Sequence, residues 1–599
     1  MSGLAQWFML GPFFYQGRLV TSPRLYHYVP GTTQEKTAWS DRNQTITAPN
    51  PIVGDANGLV AGYFSGLYKI EVRTSDDAVI LAQYDNVQIV DPVDSLEPVE
   101  LRPEDYGGGP SSSGDNTDPI MEAFSEFGAA GGVLRLAPGD YKFSGTLNRG
   151  DKRTIIQGAG IDVTFLTMTA QSSVLHGITG TGSLWLRDLT IRTQTPLSIN
   201  HQMTAVRMDL DSTGITGGRY LHAEHVKIEG WNMGLYCDGG SGYGIELAAY
   251  RHVIGTAGGT ASDYVGGVLH MNRIQNGHIW QADVDQNHVG DHAIYCFGAR
   301  ALVIEQAKVR NATRPEAQAI KVVGDGVTST GAFNQWSVRD VDMENCVHGA
   351  LFTTFGTETL RQILVDGLRA KDMSGSVNIP GGIVTVSLTG SARIDSIVLR
   401  ALFGENLGEQ GVHFTGSASS RIEQILIDGV KAKNWSVNSS GTYTLLGTSC
   451  NAAIIGRLHA CNIEADGNSN GRTIWNVNSF GGYGGEDIEQ FSYDNLREKN
   501  TTTPAQIPTI NQADATPTLR FGRTYLMTNG SAQNITAFDD LLPGEEYTFL
   551  VGDGNTTLVD GASLLVGASA NWNPQNTDVW RGVAVSSTVM REAGRSDNS

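Results

Sequence analysis

The residues best placed to do chemistry are four acids, Asp283, Asp285, Asp340 and Asp342, in the stretches 279–285 and 336–343. Both stretches alternate apolar and polar residues, so the acids project from strand faces. Paired carboxylates are what cleavage of a glycosidic bond requires, one neutral acid to protonate the leaving oxygen and one ionised base or nucleophile. Aligned on their first apolar residues with 302–309, these stretches put Asp283 one turn from Gln306 and two from Asp340, and Asp285 one turn from Lys308 and two from Asp342. Two turns at strand spacing are about 9.6 Å, near the upper end of the ~6.5–9.5 Å that suits inversion, while one turn would suit the ~5 Å of a retaining pair. Trp231, Trp280, Tyr295 and Trp336 lie in the same zone as candidates to stack on sugar faces, and Glu224, Glu229, Asp238 and Asp291 are further candidate acids. The competing reading makes Asp285, Lys308 and Asp342 a surface charge ladder. The sequence leaves both open.

Other chemistries find no footing. There is no Ser/His/Asp order on a strained elbow, no HExxH, and no glycine pattern opening a strand-helix unit. Gly107-Gly108-Gly109 lacks the Lys-Ser/Thr that a phosphate loop needs. Five cysteines, Cys237, Cys296, Cys346, Cys450 and Cys461, show no metal-ligand spacing and read as free thilols of a chain folded in a reducing cytoplasm. No cofactor and no metal is expected.

The element that must position the acids is an internal repeat from about 180 to 480, a run of alternating segments such as Leu184-Trp185-Leu186, Ile363-Leu364-Val365, Ile397-Val398-Leu399 and Ile425-Leu426-Ile427. Their spacing of roughly 23 to 37 residues, with one doubled gap around 250–254 that suggests a degenerate turn, is that of a solenoid with variable outward loops. Asn311, Asn345, Asn406 and Asn434 recur just past the strands and are expected to be turn or ladder residues.

Ahead of the repeat, Asp115 to Asp118 offers helix-capping groups, and Ile120, Met121, Ala123, Phe124 and Phe127 recur at helical spacing. Gly131-Gly132 ends that helix, Val133-Leu134-Arg135-Leu136 is a strand, Pro138-Gly139-Asp140 a turn and Tyr141-Lys142-Phe143 a second strand, with Ile156-Gln157-Gly158-Ala159-Gly160 following. This order resembles the entrance to the right-handed parallel β-helix of the pectate-lyase-like superfamily, in the version common in bacteriophage tailspikes. The resemblance implies the fold and leaves hydrolase, lyase and inert adhesin open. The calcium-binding acids and arginine base of the superfamily's lyases are not matched around Arg310 and Arg339.

The flanks read as separate β modules. Residues 1–98 contain alternating Arg24 to Val29 and Gly66 to Arg73, with turns at Pro30-Gly31-Thr32-Thr33 and Asp55-Ala56-Asn57-Gly58. They resemble the amino-terminal virion-attachment domains of phage tail fibres and tailspikes, with a plain β-sandwich as the alternative. The acidic, Pro-containing stretch 91–98 is the expected connector. Past a Gly, Asn and Ser rich patch at 466–483, residues 501–599 carry the strands Leu519-Arg520-Phe521, Thr524-Tyr525-Leu526, Thr548-Phe549-Leu550-Val551 and Leu564-Leu565-Val566. They resemble the carboxy-terminal β domains through which phage spikes trimerise; a monomeric sandwich is the alternative.

The expected architecture is therefore all-β: 1–98 for attachment, 99–500 a capping helix and right-handed parallel β-helix (solenoid), and 501–599 a carboxy-terminal β domain. Lys+Arg number 42 against 62 Asp+Glu, a formal charge of −20 that argues against a nucleic-acid partner. Residues 1–17 lack the basic start of a secretory signal, and no apolar run reaches the ~20 residues that span a bilayer, so membrane insertion is not expected. The resemblance implies a homotrimeric tailspike in the virion, made in the host cytoplasm, contacting tail or portal-adaptor proteins through 1–98 and binding and hydrolysing host surface polysaccharide. A non-enzymatic tail or receptor-binding protein of the same fold, or a polysaccharide lyase, is the alternative.

Overall fold

In a computed structural model of the chain, the described residues fall within 6–89 and 99–596, less short stretches of which the longest are 195–202, 212–217, 259–266, 327–334, 376–381, 436–444, 467–487 and 500–508. The chain divides into two compact units, Met1–Val99 with Gly128–Gly131, and Glu100–Phe127 with Gly132–Ser599. In the first unit the strand Arg24–Tyr28 buries Leu25 and His27 and pairs antiparallel with Gly66–Arg73, which pairs in turn with Ile80–Ile89. Leu25, Phe64, Tyr68, Ile70 and Val72 form its core. The expected connector 91–98 lies outside the described residues.

The second unit opens with the helix Thr117–Glu126, which presses Ile120, Ala123 and Phe124 into the core. Its start is tied by Asp115, whose Oδ1 accepts from the Thr117 N–H at 2.9 Å. After the helix the Phe127 ring occupies the space beside Gly132, where a Cβ would lie only 2.0 Å from a ring carbon, so glycine is required there.

From Gly132 onward the chain winds through three parallel sheets. The first holds, among others, Ile274–Trp280, Ala301–Glu305, Gln335–Arg339 and Thr359–Asp366; the second holds Asp283–Asp285, Lys308–Arg310, Asp342–Glu344 and Arg369–Met373. The third sheet has 11 strands, from Leu147–Asn148 to Leu446–Cys450. This is a parallel β-helix. Inward residues stack coil on coil, as in the row Ile279, Ile304, Val338, Val365, Leu399 and Ile427, none more than 1% exposed. Each such side chain contributes about 1.5–3 kcal/mol by leaving water. The gap around 250–254 is an intact coil: the strand Ile245–Ala257 places Ala248 beside Leu221 and Val253 beside Val226.

Two corners are built from left-handed residues. Between the first and second sheets stand Asp188, His225, His252, Gln281, Gln306, Asp340, Gly367, Ala401, Gly429 and Asn462, all at positive φ. A non-glycine residue there costs about 1–2 kcal/mol, and the corner is held by backbone bonds to the next coil, such as Gln281 N–H to Glu305 O at 3.1 Å and Asp340 N–H to Asp366 O at 2.8 Å. Beyond the second sheet lies the expected asparagine column: Asn345 donates to Asn311 at 2.7 Å, Asn406 to Asp372 at 2.6 Å and Asn434 to Asn406 at 2.8 Å. Asp372 is a member that its residue type concealed.

The carboxy-terminal module has its own core, with Tyr525, Phe538, Phe549 and Trp580 packed ring against ring. The strands Thr524–Met527, Glu546–Val551 and Leu564–Leu565 stand where the sequence places them. The antiparallel pair Val579–Ser586 and Val589–Ser596 is additional, Leu519 is not in a strand, and 520–523 lie outside the described residues.

Candidate functional site

The backbone register moves the four candidate acids. Asp283 pairs with Lys308 and Lys308 with Asp342, while Asp285 pairs with Arg310 and Arg310 with Glu344. Asp340 stands instead in the corner column, one coil above Gln306 and two above Gln281. Asp283 and Asp340 are thus in different columns, and the expected alignment of 279–285 is corrected by two residues. The reason is that alternation has a period of two, so a slip of two residues preserves every inward and outward side chain; the left-handed Gln281 is what fixes the register.

The second sheet's outward face compensates its own charge. One column runs Asp285, Arg310, Glu344, Lys371, Glu405, Lys433 and Asp466, with signs alternating at every coil. Arg310 lies 2.8 Å from Asp283 and 3.9 Å from Asp285, Arg369 lies 3.5 Å from Asp342, and Lys433 lies 3.3 Å from Glu405. The first sheet repeats the pattern with Arg187, Glu224, Arg251, Trp280, Glu305, Arg339, Asp366, Arg400 and Asp428. Glu224 is bound there by Arg187 at 3.0 Å, and Glu229 on the second sheet by Lys227 at 2.7 Å. Trp280 interrupts the first-sheet ladder, its Nε1 donating to Gln306 Oε1 at 3.1 Å and its ring meeting His252 edge-on.

Two of the expected sugar-stacking residues are core residues. Trp231 is 1% exposed and Trp336 is 0% exposed, the latter donating its Nε1–H to the Ala299 carbonyl at 2.8 Å. Trp231 ends the strand Arg219–Trp231 and Trp336 stands second in Gln335–Arg339, each turned into the core, which leaves no ring face for a ligand.

The third sheet is different. Its outward column runs Arg207, Tyr236, His270, Tyr295 and Lys321 on successive coils, each partly exposed. The Arg207 guanidinium sits 5.2 Å from the Tyr236 ring centre; Tyr236 and His270 are 5.9 Å apart, His270 and Tyr295 4.9 Å, and the Lys321 Nζ lies 5.8 Å from the Tyr295 ring. These rings are set by the strand spacing, since side chains in register on parallel coils repeat about every 4.8 Å.

Charged groups flank the column on both sides. On one, Asp238 accepts from Arg273 Nε at 2.9 Å, from its NH2 group at 2.7 Å and from the Gly240 N–H at 2.8 Å, and Asp209 accepts from Arg207 at 2.7 Å. These acids are committed to arginines. On the other, His292 stacks on Tyr295 with ring centres 5.5 Å apart and planes at 13°, and its Nε2 lies 3.0 Å from Lys321 Nζ and 3.3 Å from Asp291 Oδ2. Burial holds His292 down at about 2 and His270 at about 3, so both rings are neutral. Burial likewise lowers Lys321 from the ordinary lysine value, with the Asp291 and Glu316 charges opposing, and raises Asp291 against the pull of Lys321 and Arg314.

Of the residues named from sequence, this face gathers Tyr295, with Asp238 and Asp291 beside it. Arg207, Tyr236, His270, His292 and Lys321 were missed. Their signal was available only through register, because they lie on strands separated by stretches of unequal length in the sequence, which hide their mutual alignment. Among the described residues no cluster of His, Cys, Asp or Glu is arranged to hold a metal ion.

No family model and no curated protein matches the chain. Among solved structures it is similar to the A-module of the mannuronan C-5 epimerase of Azotobacter vinelandii (TM-score 0.40, 12% identity, covering 68% of this chain and 97% of that one). It is also similar to tailspike protein 3 of Bacteriophage CBA120 (0.34, 13%, 83% and 69%) and to the catalytic unit of the GH87 alpha-1,3-glucanase of Streptomyces thermodiastaticus (0.32, 11%, 84% and 96%). The likenesses are distant, and the chain's own sheet topology is what makes it a parallel β-helix.

Proposed function

We propose that the chain is a homotrimeric phage tailspike whose residues 1–98 join the virion and whose β-helix binds and cleaves a host surface polysaccharide along its third sheet. The observation that carries the glycan reading is the column from Arg207 to Lys321. Sugars offer apolar faces that stack on rings and hydroxyls that need fixed polar partners, and this column sets three successive rings, Tyr236, His270 and Tyr295, between the cations Arg207 and Lys321. A polymer lying along that axis meets a ring or a cation at each of these five coils. The alternating charges of the first two sheets offer no such run. Attachment and trimer formation rest on the resemblance of the two flanking modules.

A second reading, a binder that does not cleave, is favoured by the commitment of Asp209 and Asp238 to arginines. Incubating the purified protein with host surface polysaccharide separates them: cleavage gives new reducing ends, and binding alone gives retention of intact polymer. Tyr295→Ala should abolish both. Unchanged retention by that variant moves the site off this face. A chain beginning near Val99 should keep glycan binding and fail to enter virions, and its incorporation at the full-length level ends the attachment role of 1–98. Light scattering tests the trimer, which a mass of 64.2 kDa in dilute solution rules out.

A further inference from the structure

Resting on the reading of the chain as a homotrimer, we propose that the outward face of the first sheet is where three copies of this chain pack against one another, each coil against its own counterpart. Between the inward rows of that sheet runs an outward row from Ile155 to Leu426, which passes through Trp185, Val303, Leu364 and Val398. It carries no acid, lysine or arginine at any coil. Ile155, Val303, Leu364, Val398 and Leu426 are all partly exposed. Burial holds His222, the member next to Trp185, down at about 4, so its ring is neutral. The adjoining row from Tyr220 to Ser396, with Gln335 and Gln362 in it, is likewise free of charge. The outward rows of the second sheet, by contrast, mix acids and bases throughout their middle coils. A long uncharged strip with aliphatic members at the surface marks a contact with another molecule.

Size, symmetry and edge charge together point to further copies of this chain as the occupant. The strip follows the coil axis for about 43 Å and is about 17 Å across, a footprint on the order of 700 Å² that approaches the ~800 Å² per partner of a standard stable interface. Residues beside a three-fold axis meet their own copies, so a charge there would face itself twice; the central row avoids charge throughout. The edges are complementary across such an axis. Asp366 and Arg400 stand on one edge and Arg361 and Asp395 on the other, at matching positions of two successive coils. In a parallel three-fold arrangement, one edge of each chain meets the opposite edge of the next at the same height. That sets Asp366 against Arg361 and Arg400 against Asp395. Among the described residues, Arg361, Asp366 and Arg400 enter no ion pair within the chain, and Asp395 has only Arg393, at 3.3 Å. A polar rim around a less polar centre is the usual build of a protein interface. A glycan, whose hydroxyls need fixed donors and acceptors, would find few in the aliphatic centre from Leu364 to Leu426.

The test reads mass and crosslinking in the full chain. Light scattering should give three times 64.2 kDa. Val398→Cys places one thiol on the central row, and mild oxidation should join chains in pairs through it, with the third thiol of each trimer left unpaired. Leu364→Asp sets three carboxylates face to face and should raise the concentration at which the trimer dissociates about tenfold or more, with circular dichroism unchanged. Ile254→Asp, the same kind of change on the exposed second sheet, should leave that concentration where it was. Asp366→Arg should weaken the trimer, and adding Arg361→Asp to the same chain should recover it. Should Leu364→Asp fail to fold, the crosslink decides alone. A trimer whose Val398→Cys thiols do not crosslink and react freely with a maleimide overturns this face as the interface and leaves assembly to the carboxy-terminal module. A crosslinked species with the mass of two chains overturns the three-fold arrangement. A mass of 64.2 kDa for the wild-type chain overturns the trimer reading, and this inference with it.

Discussion

The side-chain amide of Asn345 donates to Oδ1 of Asn311 on the coil below at 2.7 Å, and both residues are left-handed, with φ of 53° and 59°. One residue type thus meets two demands of the corner, because a short amide tolerates positive φ and also bridges coils. Asn345→Ala removes the bridge and leaves a methyl-bearing residue in the same conformation. It should lower stability by about 1–3 kcal/mol in denaturant unfolding, and Asn345→Gly should recover part of that. Equal loss in both variants would mean that conformation contributes little and the amide bridge nearly everything.

Gly132→Ala should be among the most damaging small substitutions in the chain. The added methyl would lie 2.0 Å from the Phe127 ring, which is itself buried against the capping helix, so neither partner can yield cheaply. Loss of soluble protein or a fall of several kcal/mol is expected, and Phe127→Leu in the same background should restore part of it. A near-normal melt for Gly132→Ala would show that the cap can move.

Stability should depend on pH from both directions. Burial, aided by the Asp325 charge, raises Glu358 from 4.5 to about 7, so the folded state holds a proton that the unfolded chain releases. This contribution is complete below pH 4.5 and is lost as pH rises through about 7, at a cost on the order of 2–3 kcal/mol. Burial also lowers His413 from 6.5 to about 4, so its contribution is present above pH 6.5 and is lost as pH falls through about 4. Glu358→Gln should flatten the melting temperature across the first window, and His413→Gln should flatten it across the second. An unaltered profile in Glu358→Gln would place the titration elsewhere.

Asp283→Asn and Asp342→Asn should leave glycan cleavage at the wild-type rate. Both acids belong to exposed ion pairs, with Arg310 at 2.8 Å and Arg369 at 3.5 Å, whose loss costs about 0–1 kcal/mol. His270→Ala, which interrupts the ring column, should weaken polymer retention tenfold or more, on the order of 1.4 kcal/mol. A dead Asp283→Asn with normal retention would return the chemistry to the second sheet.

How far the sequence carried the fold follows from what alternation can encode. It identified the capping helix, the coil strands and the asparagine corner, because inward Ile, Leu and Val and left-handed Asn announce themselves by residue type. It did not fix register. The row from Ile279 to Ile427 reads the same after a slip of two, and the corner residue that settles the matter is Gln, Asp, His, Gly, Ala or Asn in different coils. The misplacement of Asp283 against Asp340 came from that degeneracy. The burial of Trp231 and Trp336 was hidden because an aromatic residue at a strand end serves a core or a ligand equally well. Lys321, His292 and His270 were invisible for a further reason: they share a face only because strands separated by stretches of unequal length come into register.

The sign alternation on the first two sheets has a consequence for assembly order. The core rows are nearly interchangeable, since Ile304 would pack on Val365 about as well as on Val338. The charges are not. A coil stacked on the wrong neighbour by skipping one would set Asp285 against Glu344 and Arg310 against Lys371, and on the adjoining sheet Glu305 against Asp366 and Arg339 against Arg400. Each mispairing is like against like on both faces at once. The surface therefore works as a parity check on the order of the coils, penalising an omitted turn that the interior would accept.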